Sequence, residues 1–254
     1  VRLFGGNLTH DVSMGRMASF QASVDANATF EQLRVPLDQL LETHRLEAKI
    51  QGGKGYAKLY SRFYGNEELR NEIEKRMREA YVGMKGAIKI NMFLEMAEAA
   101  LAHDDQTTAV GFANEALELV KTPIWRPGVE TKYVHAADVI DVLYRAGQAD
   151  LARTEADYWV GIYEQEHEED IWSHRRADAL SPLAAVYYQM GSKDRARELY
   201  LEGIDQGMTN KNSRCRANDV VDVCISLALH DVEPGDNLWA RIQGILDEGL
   251  KDPW

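Results

Sequence analysis

The sequence predicts an all-α protein built from consecutive amphipathic helices that pack as neighbouring pairs. Three observations lead there. Beyond residue 28, apolar residues recur at spacings of three and four, the period of a helix that buries one face. Gly, Pro and Asn interrupt these runs at helix-length intervals, as helix stops and starts require. Small residues also return at matched places: Ala109, Ala152 and Ala196 lie 43 and 44 residues apart.

Taken in order, residues 1–28 are rich in Gly, Ser and Asn and show no helical period. They read as an extended arm, which becomes ordered only by docking on its own domain or on a neighbouring chain. Residues 29–84 read as antiparallel helices. Phe30 and Leu33 open them, and Pro36 suits the first turn of a helix carrying Leu37, Leu40, Leu41 and His44, which Gly52-Gly53 should end. Tyr56, Leu59, Tyr60 and Phe63 make the next stripe, stopped by Gly65. Asn66 is placed to cap a helix that buries Leu69, Ile73, Met77, Ala80 and Tyr81. Its Glu72, Glu74, Lys75, Arg76 and Arg78 would form a solvated face.

From residue 85 to 254 the pairs repeat, closing with a capping helix. Phe93, Met96, Ala97 and Ala100 face Ala109, Ala113, Ala116 and Leu117. Ala136, Val139, Ile140 and Leu143 precede Gly147, then Ala152, Ala156 and Trp159. Residues 122–128, with two prolines and a glycine, form a break between them. The clearest pair spans Ala179–Gly203. Leu180, Leu183, Ala184 and Tyr187 form one stripe, Gly191 supplies a left-handed stop, and Ser192 is placed to cap the next helix. Ala196, Leu199, Tyr200 and Gly203 form its partner stripe. A last pair is weaker: Ala217, Val220, Val221 and Cys224, then Leu238, Ile242, Ile245 and Leu246 beyond Pro234-Gly235.

In its order of large and small residues, the run Leu180, Leu183, Ala184, Tyr187, Gly191, Ala196, Tyr200, Gly203 resembles the tetratricopeptide repeat family. The family's closing Pro is replaced by Met208, and the spacing exceeds its usual 34 residues. The resemblance covers about residues 85–250. It implies a right-handed superhelical stack with a concave and a convex side, and a role in holding other proteins.

Composition narrows the function classes. The chain has 254 residues, 45% of them hydrophobic and 28% charged, which suits a soluble globular protein. A net charge of -12 and a pI near 5.1 argue against nucleic acid as partner, and no apolar run is long enough to enter a membrane. Cys215 and Cys224 are nine residues apart on one expected helix, about 13 Å along its axis, too far to bridge. Both read as small core residues. The first residue is Val1 rather than Met, which is compatible with export after removal of a leader. The sequons at Asn7 and Asn27 carry little weight.

The candidate site is a set of acids. Ala136-Ala137-Asp138-Val139-Ile140-Asp141-Val142 is echoed by Ala217-Asn218-Asp219-Val220-Val221-Asp222-Val223. With the apolar members turned to the core, the two aspartates of each motif share another face. By the resemblance, that face of each first helix lines the concave groove. Glu95 and Glu98 hold the matching places in an earlier pair, and Asp178 lies nearby in the third. Such a groove would favour a basic partner segment. Family members that clamp a C-terminal carboxylate carry Lys, Arg and Asn there; here only Asn91 suits, so that activity is not expected.

Other motifs fail on spacing. Four residues after His167 comes Ile171, which is not the zinc-protease pattern, and the acids of 164–170 lack a calcium loop's glycine. Gln51-Gly52-Gly53-Lys54-Gly55 lacks the phosphate-loop spacing and reads as a turn between helices. His135 and His230 read as structural histidines at helix ends. Trp125, Trp172, Tyr188 and Trp254 fall off the stripes and are candidate interface aromatics. No cofactor, metal or catalytic set is expected.

The expectation is therefore a non-catalytic interaction or scaffold subunit of a larger complex, with an oligomer or filament open through the arm. The alternatives are a peptide-binding regulator that uses the acidic groove and, less favoured, an enzyme that uses its carboxylates.

Overall fold

Described in the computed structural model are residues 27–42, 46–122, 131–166 and 175–251, with side chains as far as Asp247. Among these residues there are eleven α-helices and no strand, so the protein is all-α. The helices are α1 (Phe30–Glu42), α2 (Leu46–Arg62), α3 (Glu67–Ala80), α4 (Gly86–Leu101), α5 (Gln106–Lys121), α6 (Thr131–Arg145), α7 (Ala149–Glu166), α8 (Arg176–Gln189), α9 (Lys193–Met208), α10 (Ser213–Leu229) and α11 (Gly235–Lys251). The chain forms two compact units, Val1–Leu119 and Val120–Trp254. No helix is long and apolar enough to cross a membrane among the described residues.

The first unit begins with a capping box that the sequence reading passed over. Thr29 Oγ1 accepts from the Gln32 N–H at 3.3 Å, and Gln32 Oε1 accepts from the Thr29 N–H at 2.9 Å. Helix α1 thus starts at Phe30, and Pro36 lies inside it rather than in a first turn. The expected turn at Gly52-Gly53 is also absent, because α2 runs straight through it. The glycines serve close approach instead. A Cβ at Gly52 would lie 3.1 Å from Leu40 Cβ, and one at Gly53 would lie 1.8 Å from the Tyr81 hydroxyl. Asn66 does cap α3, accepting from the Leu69 N–H at 3.1 Å.

Helix α2 packs on α1, α3 and α4. Asp38 ties three of these together, accepting from Arg34 at 2.8 Å, from Arg76 at 2.9 Å and from the Tyr56 hydroxyl. Arg78 of α3 grips Glu115 of α5 with two bonds of 2.7 and 2.6 Å, and its guanidinium lies over Phe93 and Phe112.

In the second unit each first helix packs on its own partner and on the next first helix: α6 on α7 and α8, then α8 on α9 and α10. Helix α9 also packs on α11. This neighbour-on-neighbour order is how a helical repeat array buries its faces. The expected stripes of α6 to α9 are buried, and Ala152 and Ala196, like Ala109 of the first unit, are fully enclosed. Gly147 and Gly191 both sit at φ +81°, the left-handed stop their positions require. Ser192 precedes α9 without capping it by its side chain; its hydroxyl instead accepts from Arg153.

The last pair departs from expectation. Helix α10 is turned so that Val220, Val223 and Leu227 face inward, while Ala217 and Val221 are exposed. Leu246 of α11 is exposed as well. Cys215 and Cys224 are free and half-buried, not core residues. The break at 123–128, most of the arm and of the 164–170 acids, His44, Trp125, Trp172 and Trp254 lie outside the described residues.

Candidate functional site

Of the seven acids picked from the sequence, the second unit brings four together. Helices α6, α8 and α10 lie side by side, and a groove of about 420 Å³ opens on them. Helix α6 contributes Val134 and Asp138; α8 contributes Asp178, Ser181 and Pro182; α10 contributes Asp222, Ile225, Ser226 and Leu229, with His230 at its end. Among the described residues that line it there is no Lys or Arg. Arg175 lies beside it, 3.0 Å from Asp178.

Asp219, one turn before Asp222 on α10, does not line this groove and turns toward α9. It is 3% exposed, and its Oδ2 has no hydrogen-bond partner. The room for it comes from Gly207 of α9, where an added Cβ would stand 2.6 Å from Asp219 Cβ. Burial first, then the charges of Asp178 and Asp222, raises its carboxyl to about 7, while Arg175 acts the other way. Burial and Asp178 raise Asp222 too. The two aspartate motifs are therefore not equivalent: Asp138 is exposed, whereas the turn of α10 buries Asp219.

The remaining acids lie elsewhere. Asp141 pairs with Arg145 one turn along α6, at 2.8 Å, and does not line the groove. Glu95 belongs to the first unit, half-buried on α4, where burial raises its carboxyl and Lys54 and Lys58 partly offset the rise. Glu98 is exposed on the same helix. His135 is buried, its Nδ1 3.9 Å from Asp138, and burial lowers its pKa, which favours the neutral ring. His230 lies exposed at the groove rather than within a core.

Sequence reasoning missed two contributors. Val221, Ile225 and Leu229 form an i, i+4, i+8 apolar stripe, and they are 52%, 50% and 76% exposed. Pro182, visible in the sequence, lies inside α8 and carries no N–H, so the Asp178 carbonyl receives no helical bond from position 182. The groove thus offers acceptors and apolar surface together. It suits a partner that brings donors, positive charge and hydrocarbon. No group of three or more His, Cys, Asp or Glu is arranged to hold a metal ion among the described residues. Comparisons with protein-family models, curated proteins and solved structures found no match.

Proposed function

We propose that this protein is a non-catalytic, tetratricopeptide-like interaction subunit that helps assemble a larger protein complex. The observation that carries the reading is the groove on α6, α8 and α10, acidic and apolar at once. Three successive first helices share it, which offers an extended surface to a protein segment. Acids at and near the groove are tied into ion pairs with arginines. Asp178 holds Arg175, and Asp141 holds Arg145.

The same groove favours a peptide-binding regulator as the second reading. The two differ in their response to salt. Exposed ion pairs weaken as ionic strength rises, so a partner held mainly by the aspartates would leave as salt rises. Affinity purification from the native source, with the eluate sized before and after high salt, tests both. A stoichiometric partner that survives salt is expected of an assembly subunit. A partner lost in salt would favour the regulator. Self-association through residues 1–28 belongs to the first reading, and unchanged assembly after their deletion would remove that part. An activity abolished by Asp138→Asn with the fold intact would refute a non-catalytic role.

A further inference from the structure

Resting on the protein-interaction reading above, we infer that the groove of the second unit receives a segment of a partner protein in which an arginine stands among large apolar residues. The guanidinium lies between Asp178 and Asp222, and its apolar neighbours cover Ile225 and Leu229.

Three features select this occupant. The first is charge: Asp138, Asp178 and Asp222 line the groove on three helices, opposed nearby by Arg175. The second is the backbone carbonyl of Asp178, a groove residue, which receives no helical bond because Pro182 has no N–H. An acceptor without its usual helical donor can take a charge-assisted bond from a cation. The third is the exposed wall of Ile225 and Leu229, which water covers poorly.

Arginine fits better than lysine. Its planar fork can meet two carboxylates and the Asp178 carbonyl together, and it sheds water more readily. A bare polyamine would leave the apolar wall uncovered.

The test is fluorescence anisotropy with the full chain and a short labelled peptide that alternates leucine with arginine, at about 0.15 M salt. Saturable binding is expected, and replacing arginine by glutamine should weaken it at least about tenfold. Asp222→Asn should weaken it by about as much, as should Ile225→Ser. Both side chains are exposed, so neither change threatens the fold. Asp194→Asn, on α9 outside the groove, should leave binding unchanged.

Equal binding of the glutamine peptide, or of the Asp222→Asn protein, would overturn the inference. So would displacement of the peptide by spermidine at equal concentration, which would mark a simple cation site. Binding that appears only after residues 1–28 are deleted would make the chain's own arm the occupant and overturn the partner assignment. If no peptide binds while the native-source purification yields a stoichiometric complex, this inference fails and the interaction reading stands. If neither occurs, both fail.

Discussion

Gly203 and Gly207 lie one turn apart on α9, both buried, and the same substitution should have opposite effects on them. At Gly203 alanine gains roughly 0.8–1 kcal/mol of helix propensity over glycine, and at Gly207, the last residue but one of the helix, somewhat less. At Gly203 the new methyl would meet Ala177 Cα and Leu180 Cβ at 3.7 Å, ordinary contact. At Gly207 it would stand 2.6 Å from Asp219 Cβ, an atom fixed to the backbone of α10. Relief there requires moving a helix, and such overpacking costs roughly 1–3 kcal/mol. Gly203→Ala should therefore stabilise by up to about 1 kcal/mol, whereas Gly207→Ala should destabilise by up to about 2 kcal/mol once the propensity gain is subtracted. Urea unfolding followed by circular dichroism measures both midpoints under one slope. Gly207→Ala proving as stable as Gly203→Ala would mean that α9 and α10 do not approach as described, and the placement of Asp219 would fall with it.

Asp219→Asn should alter the pH profile of stability. Its carboxyl is raised from 3.8 to about 7, so between those values the folded chain holds a proton that the unfolded chain releases, and wild-type stability falls as pH rises. The variant should gain on the wild type across that window by at most about 4 kcal/mol, at about 1.4 kcal/mol per unit; a pH-independent difference in urea melts would contradict the burial. Gly53→Ala should cost roughly 1–3 kcal/mol, since the methyl would meet the buried Tyr81 ring, and an unchanged melting temperature would count against that close approach. Arg78→Met should cost roughly 1–2 kcal/mol from loss of the paired bonds to Glu115. Arg78→Lys should recover little, because an ammonium cannot reproduce the fork; full recovery in a melt would reduce Arg78 to a point charge.

The stripes were legible where burial is one-sided and regular. Leu180, Leu183, Ala184 and Tyr187 could be read by counting, because one helix face meets one neighbour. Gly52-Gly53 could not, since a glycine that ends a helix and one that admits a neighbour look alike in sequence. What separates them is a contact with Leu40 or Tyr81, which is tertiary information. The capping box at Thr29 and Gln32 was visible and simply passed over. At α10 the pattern misled for a physical reason. Val220, Val221, Val223, Ile225 and Leu227 offer two overlapping stripes, and the sequence cannot say which one meets α8 and α9. That choice buries Asp219 and exposes Ile225, so it decides the chemistry of the groove. Four of the seven acids came together because they lie on first helices of the same unit, which the spacing did encode. Asp141 went to Arg145, a competition between surface partners that no spacing rule settles.

Two local choices at the foot of the groove run against stability. Gly207 places a glycine in the last turn of α9, and Asp219 places a carboxyl group where an apolar residue would cost less. Each makes sense only with the other: the bare backbone of Gly207 opens the space that Asp219 fills. Neither packing nor propensity asks for the pair, and departures of this kind tend to gather at functional sites. The departure lies beside Asp178 and Asp222, under an exposed apolar wall. A cation seated between Asp178 and Asp222 would relieve the crowding of like charges around Asp219, and part of that gain would appear as binding energy. Without such a ligand, stability alone would favour an apolar side chain in place of Asp219.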